Sequence, residues 1–170
     1  MTPKECQKEL LDFIHDRGRF KSGRKLEGMA VSEKPILFVD YYVTLSEIDR
    51  RTMNTCLIYS LLGKDEQTKT FIGITAMVLG ALVDRVDGTG LDAFQSELMH
   101  VLQDPQKRSM WVDRLGPSSD FREDWRYPLS IMNILSKLNI NGVREIAIDM
   151  ASVAKSQQFR MRLSEIAANA

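Results

Sequence analysis

Phe71–Val83 reads FIGITAMVLGALV, thirteen residues without a charge. Phe71, Ile72, Ile74, Met77, Val78, Leu79, Leu82 and Val83 fall on every side of a helix of 3.6 residues per turn. Such a helix is buried all round, so the stretch predicts the hub of a helical bundle. It is too short for a bilayer, which takes about 20 apolar residues to span. Gly73, Ala76 and Gly80 fall near one face, where small side chains predict close approach of a neighbour.

Working outward, the flanking segments repeat the helical pattern. Upstream, a helix is expected from about Ser46 to Leu62, stopped by Gly63. The hub helix is expected from about Asp65 to Val86, stopped by the glycines of Asp87–Gly90 (DGTG). Downstream, Leu91, Phe94, Leu98, Val101 and Leu102 form one stripe. Asp104-Pro105 and Gly116-Pro117 bracket a further helix, Pro128 starts or kinks the next, and Asn141 caps the last. At the N-terminus Thr2, Pro3 and Glu5 form a capping box ahead of Cys6, Leu10, Phe13 and Ile14. These segments predict an all-α fold, one helical domain over 1–170 with about six to eight helices.

One segment resists the pattern. Pro35–Thr44 (PILFVDYYVT) is rich in β-formers, so 36–43 reads as a short strand-like piece, although one strand alone has nothing to pair with; a short helix, or a strand pairing with another subunit, are the alternatives.

With 170 residues the chain is long enough for a substantial core without disulfides or metals. Its 23 basic and 23 acidic residues cancel, which excludes a protein that coats nucleic acid along its whole surface. The N-terminal segment shows no apolar leader, and an intracellular protein without membrane insertion is expected.

Motifs for catalysis are sparse. His15 and His100 have no histidine or cysteine at metal-ligand spacing, and Cys6 and Cys56 read as buried, reduced thiols. Asp84–Asp92 (DRVDGTGLD) fails as an EF-hand calcium loop. With Gly88 at the sixth position, Val83, Arg85 and Phe94 fall where oxygen ligands belong. No catalytic residue, metal or cofactor is expected.

Asp16–Lys25 (DRGRFKSGRK) breaks the electrical balance: five basic residues stand in nine positions from Arg17, with no acid among them. Arg17, Arg19, Lys21, Arg24 and Lys25 suit a phosphate backbone, and Phe20 suits a stacked base. The segment 18–34 therefore reads as a basic irregular arm. Lys155, Arg160 and Arg162 form a smaller basic group.

In the last helix Val143, Ala147, Met150 and Ala154 share one face, whereas Phe159, Leu163, Ile166 and Ala167 share a rotated one. The shift predicts either a bend near Gln157 or a tail, 155–170, packed on another copy of the chain. In Asp120–Pro128 (DFREDWRYP), Trp125 and Tyr127 are candidate interface aromatics, and Trp111 is a further one.

The expected function is a non-enzymatic, oligomeric helical binding protein of the kind that serves viral or bacterial regulatory systems, contacting RNA or another single-stranded nucleic acid through the arm. The rival is a protein–protein adaptor, chaperone or effector-like module.

Overall fold

The computed structural model describes residues 1–22, 34–65, 67, 72–103, 122–154 and 156–170. Arg24, Lys25, Phe71, Trp111 and Lys155 lie outside the described residues. Trp125 and Tyr127 fall on a helix, but their side chains lie outside the description.

The all-α expectation holds. Among the described residues there are eight α-helices and two short 3-10 turns, and no strand. The chain gathers into two compact units, Met1–Gly90 and Leu91–Ala170.

The first unit begins with α1 (Pro3–Ile14). The predicted capping box is complete: Thr2 Oγ accepts from the Glu5 amide at 3.2 Å, and the Glu5 carboxylate accepts from the Thr2 amide at 2.6 Å. Asp16 and Gly18 then take the left-handed conformation, each with φ 55°, and Gly18–Phe20 makes a 3-10 turn.

Next comes α2 (Lys34–Thr44), which corrects the strand-like expectation for 36–43. Pro35, Phe38, Val39 and Tyr42 are buried at helical spacing, and the helix packs on α4 (Ile72–Arg85). Intrinsic propensity differs by up to about 0.7 kcal/mol per residue between ordinary residues, whereas burying one large apolar side chain is worth about 1.5–3 kcal/mol. Burial of one helical face wins over β-preference.

α3 (Glu47–Leu61) starts at Ser46, whose Oγ accepts from the Asp49 amide at 3.2 Å, and buries Met53, Leu57, Ile58 and Leu61. It packs on both α1 and α4. The hydroxyls of Ser60 and Thr75, 2.9 Å apart and buried, tie α3 to α4.

Of the predicted hub, α4 buries Thr75, Ala76, Val78, Leu79 and Leu82, while Ile74, Met77 and Val83 are half-buried. The close approach expected at Gly80 is corrected: a Cβ there meets nothing within 4 Å. The stop at Gly88 and Gly90 holds, with φ 63° and 76°.

In the second unit a 3-10 turn (Leu91–Phe94) leads into α5 (Gln95–Gln103), followed by α6 (Arg122–Lys137), α7 (Val143–Val153) and α8 (Gln157–Asn169). α6 begins ahead of Pro128 rather than at it, and Gly142, with φ 90°, takes the N-cap place expected for Asn141.

The phase shift in the last helical segment is a break. Ala154 is extended (φ −67°, ψ 131°), and Ser156 restarts the helix by accepting from the Phe159 amide at 3.3 Å. Phe159, Leu163 and Ile166 are therefore buried on a helix that packs along α7 and α6, and do not form an open face for a second copy. No helix among the described residues is long and apolar enough to cross a membrane.

Candidate functional site

The basic arm leaves α1 through a turn in which the Arg17 amide donates to the Asp12 carbonyl at 2.7 Å. Phe20, cast as a platform for a base, is 2 % exposed. Its ring stacks on Phe38, centroids 5.6 Å apart and planes 12° from parallel, with Phe13 and Tyr41 edge-on at 5.4 and 5.3 Å. An apolar ring gains more from this cluster than from water, so no face of it is open to a base. That assignment is corrected.

Arg19 is also engaged. Its Nε lies 2.9 Å from the Glu9 carboxylate, and its guanidinium lies 4.5 Å from the centre of the Tyr41 ring. Lys8 pairs with Asp12 one turn below.

Asp16 gathers the next residues. Its Oδ1 accepts from the Ser22 amide at 2.9 Å and from Ser22 Oγ at 2.7 Å. Lys34, only 1 % exposed, brings Nζ to 3.4 Å from the same oxygen and to 5.6 Å from the centre of the Phe13 ring. The Ser22 bonds, followed by the Lys34 charge, hold the Asp16 carboxyl below its ordinary value of 3.8.

Acids of α1 and the turn after it thus engage Arg19, Lys8 and Lys34. Arg17 and Lys21 are exposed on the arm. In the second unit Arg160 is exposed, and Arg162 pairs with Glu165 at 2.9 Å. The two basic groups belong to different units.

The DGTG turn has a structural task. The Thr89 carbonyl accepts from Asn54 Nδ2 at 2.7 Å and lies 3.2 Å from the Tyr42 hydroxyl, which in turn lies 2.9 Å from Asn54 Oδ1. All three groups are buried, so the triangle joins α2, α3 and the end of α4.

A groove of about 500 Å³ lies between α1 and α3, and the sequence did not signal it. Pro3, Lys4 and Gln7 form one wall. Arg51, Thr52, Thr55, Cys56 and Tyr59 form the other, and Asp65 closes an end. Gln7 Nε2 donates to both Asp65 oxygens, at 2.9 and 2.7 Å, so this acid is capped within the protein.

Ile48, Thr52, Thr55 and Tyr59 share one face of α3 by helical spacing, and Ile48 and Tyr59 are 75 % and 48 % exposed. Lys64 Nζ sits 5.5 Å from the centre of the Tyr59 ring. Once Met53, Leu57 and Leu61 fix the core stripe, Ile48 and Tyr59 fall off it; that mismatch is the signal a sequence reading has for this face.

Both cysteines are free thiols. Burial pushes the Cys56 thiol up to about 12 and the Cys6 thiol up to about 11, so both stay protonated near neutral pH. Among the described residues, no three side chains of histidine, cysteine, aspartate or glutamate are placed to hold a metal ion.

No protein-family model, no curated protein and no solved structure matches this chain.

Proposed function

We propose that the chain is a non-enzymatic protein-interaction module whose first unit receives an acidic, amphipathic peptide segment in the groove between α1 and α3. One observation carries the reading: a mostly apolar groove is continued by exposed Ile48 and Tyr59 and bordered by Lys4, Arg51 and Lys64. Large apolar side chains on an open helix face suit a partner's apolar residues, and aromatic anchors carry much of the energy in such contacts. Arg51 pairs with Glu47 on the exposed face of α3, and Lys4 and Lys64 favour a partner with carboxylates beside its apolar residues. The acid in the lining, Asp65, is already satisfied by Gln7. The protonated Cys56 thiol suits packing rather than nucleophilic attack.

Chemical-shift mapping tests this. A short amphipathic peptide with leucines on one face and glutamates on the other is titrated into labelled protein. Shifts concentrated at Thr52, Thr55, Cys56 and Tyr59 are expected. Shifts absent from α3 overturn the reading.

A second reading, contact with RNA or another single-stranded nucleic acid, draws support from Arg17 and Lys21, exposed on one turn. It predicts binding that weakens with salt, with a log–log slope of roughly −0.7 per phosphate contact. Homo-oligomerisation stays a proposal without the Phe159, Leu163 and Ile166 face, and sedimentation over a range of concentrations reads it directly.

A further inference from the structure

We propose that the open face of α3 pairs with itself: α3 of one copy lies antiparallel on α3 of a second copy, about a two-fold axis level with Met53 and Asn54. The proposal shares Ile48 and Tyr59 with the groove reading and says what covers them when no partner peptide is bound. It rests on the spacing along α3 rather than on the groove. Its assay contains no peptide, so a failed peptide titration counts against the groove reading alone.

The stripe has the form of a helix-pairing seam. Ile48, Thr52, Thr55 and Tyr59 follow one another at steps of four, three and four residues, the alternation found in coiled coils. The large side chains, Ile48 and Tyr59, are exposed at its two ends, about 16 Å apart along the helix axis. Between them Thr52 Oγ1 donates to the Ile48 carbonyl and Thr55 Oγ1 to the Arg51 carbonyl, both at 3.1 Å. Each hydroxyl proton is thus used within its own helix. The two threonines ask no donor's partner of a neighbour and are small enough to let a second helix approach.

The stripe is also its own complement. Ile48 and Tyr59 stand equally far from the midpoint between Met53 and Asn54, and so do Thr52 and Thr55. A two-fold contact brings residue i onto j and j onto i. In the antiparallel pair, Tyr59 of each copy therefore meets Ile48 of the other, and Thr52 meets Thr55.

Charge selects the direction. Glu47 opens α3 at one end of the stripe, and Lys64 Nζ lies 5.5 Å from the centre of the Tyr59 ring at the other. Antiparallel pairing sets each Lys64 beside Glu47 of the other copy and opposes the two helix dipoles. Parallel pairing would instead set Glu47 beside Glu47 and Lys64 beside Lys64. Glu47 also holds Arg51 of its own helix, but that pair is exposed and contributes little, so it does not compete strongly for the carboxylate. A stripe of four residues per copy covers well under the roughly 800 Å² that each partner gives to a standard interface, so the pair is weak and depends on concentration.

Sedimentation velocity of the full chain over roughly 10–500 μM tests this, a range in which mass action brings out weak association. The parent is expected to move from monomer toward dimer. Ile48→Glu and Tyr59→Lys, both at exposed positions, should each weaken association about tenfold or more, as the loss of an anchor does. Mixed in equal amounts, the two variants should associate again. The mixed pair sets the new carboxylate against the new ammonium and keeps one Tyr59–Ile48 contact, whereas neither variant alone can do both. A parent that stays monomeric through the range, or single variants that associate as the parent does, overturns the pair. Variants that stay monomeric when mixed overturn the antiparallel arrangement.

Discussion

Phe20 lies flat against Phe38, centroids 5.6 Å apart, with Phe13 edge-on to both at 5.4 and 5.2 Å. A residue that stands among cations in the sequence is in space a core residue that fastens the start of the arm to α1 and α2. Phe20→Ala should therefore destabilise the first unit by about 3–5 kcal/mol, the range for truncating a buried phenylalanine. Urea unfolding reads this. An unchanged midpoint would mean that the ring is free for a ligand after all.

Tyr42→Phe removes one hydroxyl from the buried triangle with Asn54 and Thr89. It leaves Asn54 Oδ1 without the Tyr42 donor at 2.9 Å, in a site closed to water. The expected cost is about 1–3 kcal/mol, because an unsatisfied buried acceptor costs more than a hydrogen bond contributes on average. A thermal melt that does not move contradicts the triangle.

Gly80→Ala is expected to stabilise. A Cβ at this position has open space, and exchanging glycine for alanine inside a helix gains about 0.5–1 kcal/mol. A lower melting temperature would show a close neighbour at α4.

Acid should loosen the turn at Asp16. Its carboxyl is held below 3.8 in the folded chain, first by the Ser22 hydroxyl, so the stability it contributes is present above 3.8 and is lost as pH falls through the lower folded value. Glu5, lowered from 4.5 mainly by the Thr2 amide, acts in the same direction. Asp16→Asn should be less stable than the parent near neutral pH, and the gap should close below pH 3.8. Urea midpoints across that window decide it, and a gap that stays constant contradicts the tie.

The helices were legible where local chemistry decides them. The Thr2–Glu5 box, the Ser46 start and the glycine stop at Gly88 depend on residues a few positions apart. The shift of face after Ala154 was legible too, and the extended Ala154 followed by the Ser156 cap selects the bend over the free tail.

Residues 36–43 were misread because Phe38, Val39 and Tyr42 satisfy both a β composition and a helical face; only packing on α4 selects the second. The engagement of Arg19 and Phe20 was not legible for a related reason. Glu9, Phe13 and Phe38, which engage Arg19 and Phe20, lie outside the basic stretch. The groove needs α1 and α3 side by side, and neither helix shows it alone.

The most direct measurement is a paired fluorescence-anisotropy titration, in which the acidic amphipathic peptide and a single-stranded RNA are each bound to the parent, to a Tyr59→Ala and Ile48→Ser double variant, and to an Arg17→Ala and Lys21→Ala double variant. All four positions are exposed, so folding should stay intact, and thermal melts check that. The account predicts that the peptide binds, that the α3 variant loses about tenfold or more in affinity as an anchor is removed, and that the arm variant keeps it. RNA binding that the arm variant abolishes, with no peptide binding to the parent, would contradict the account.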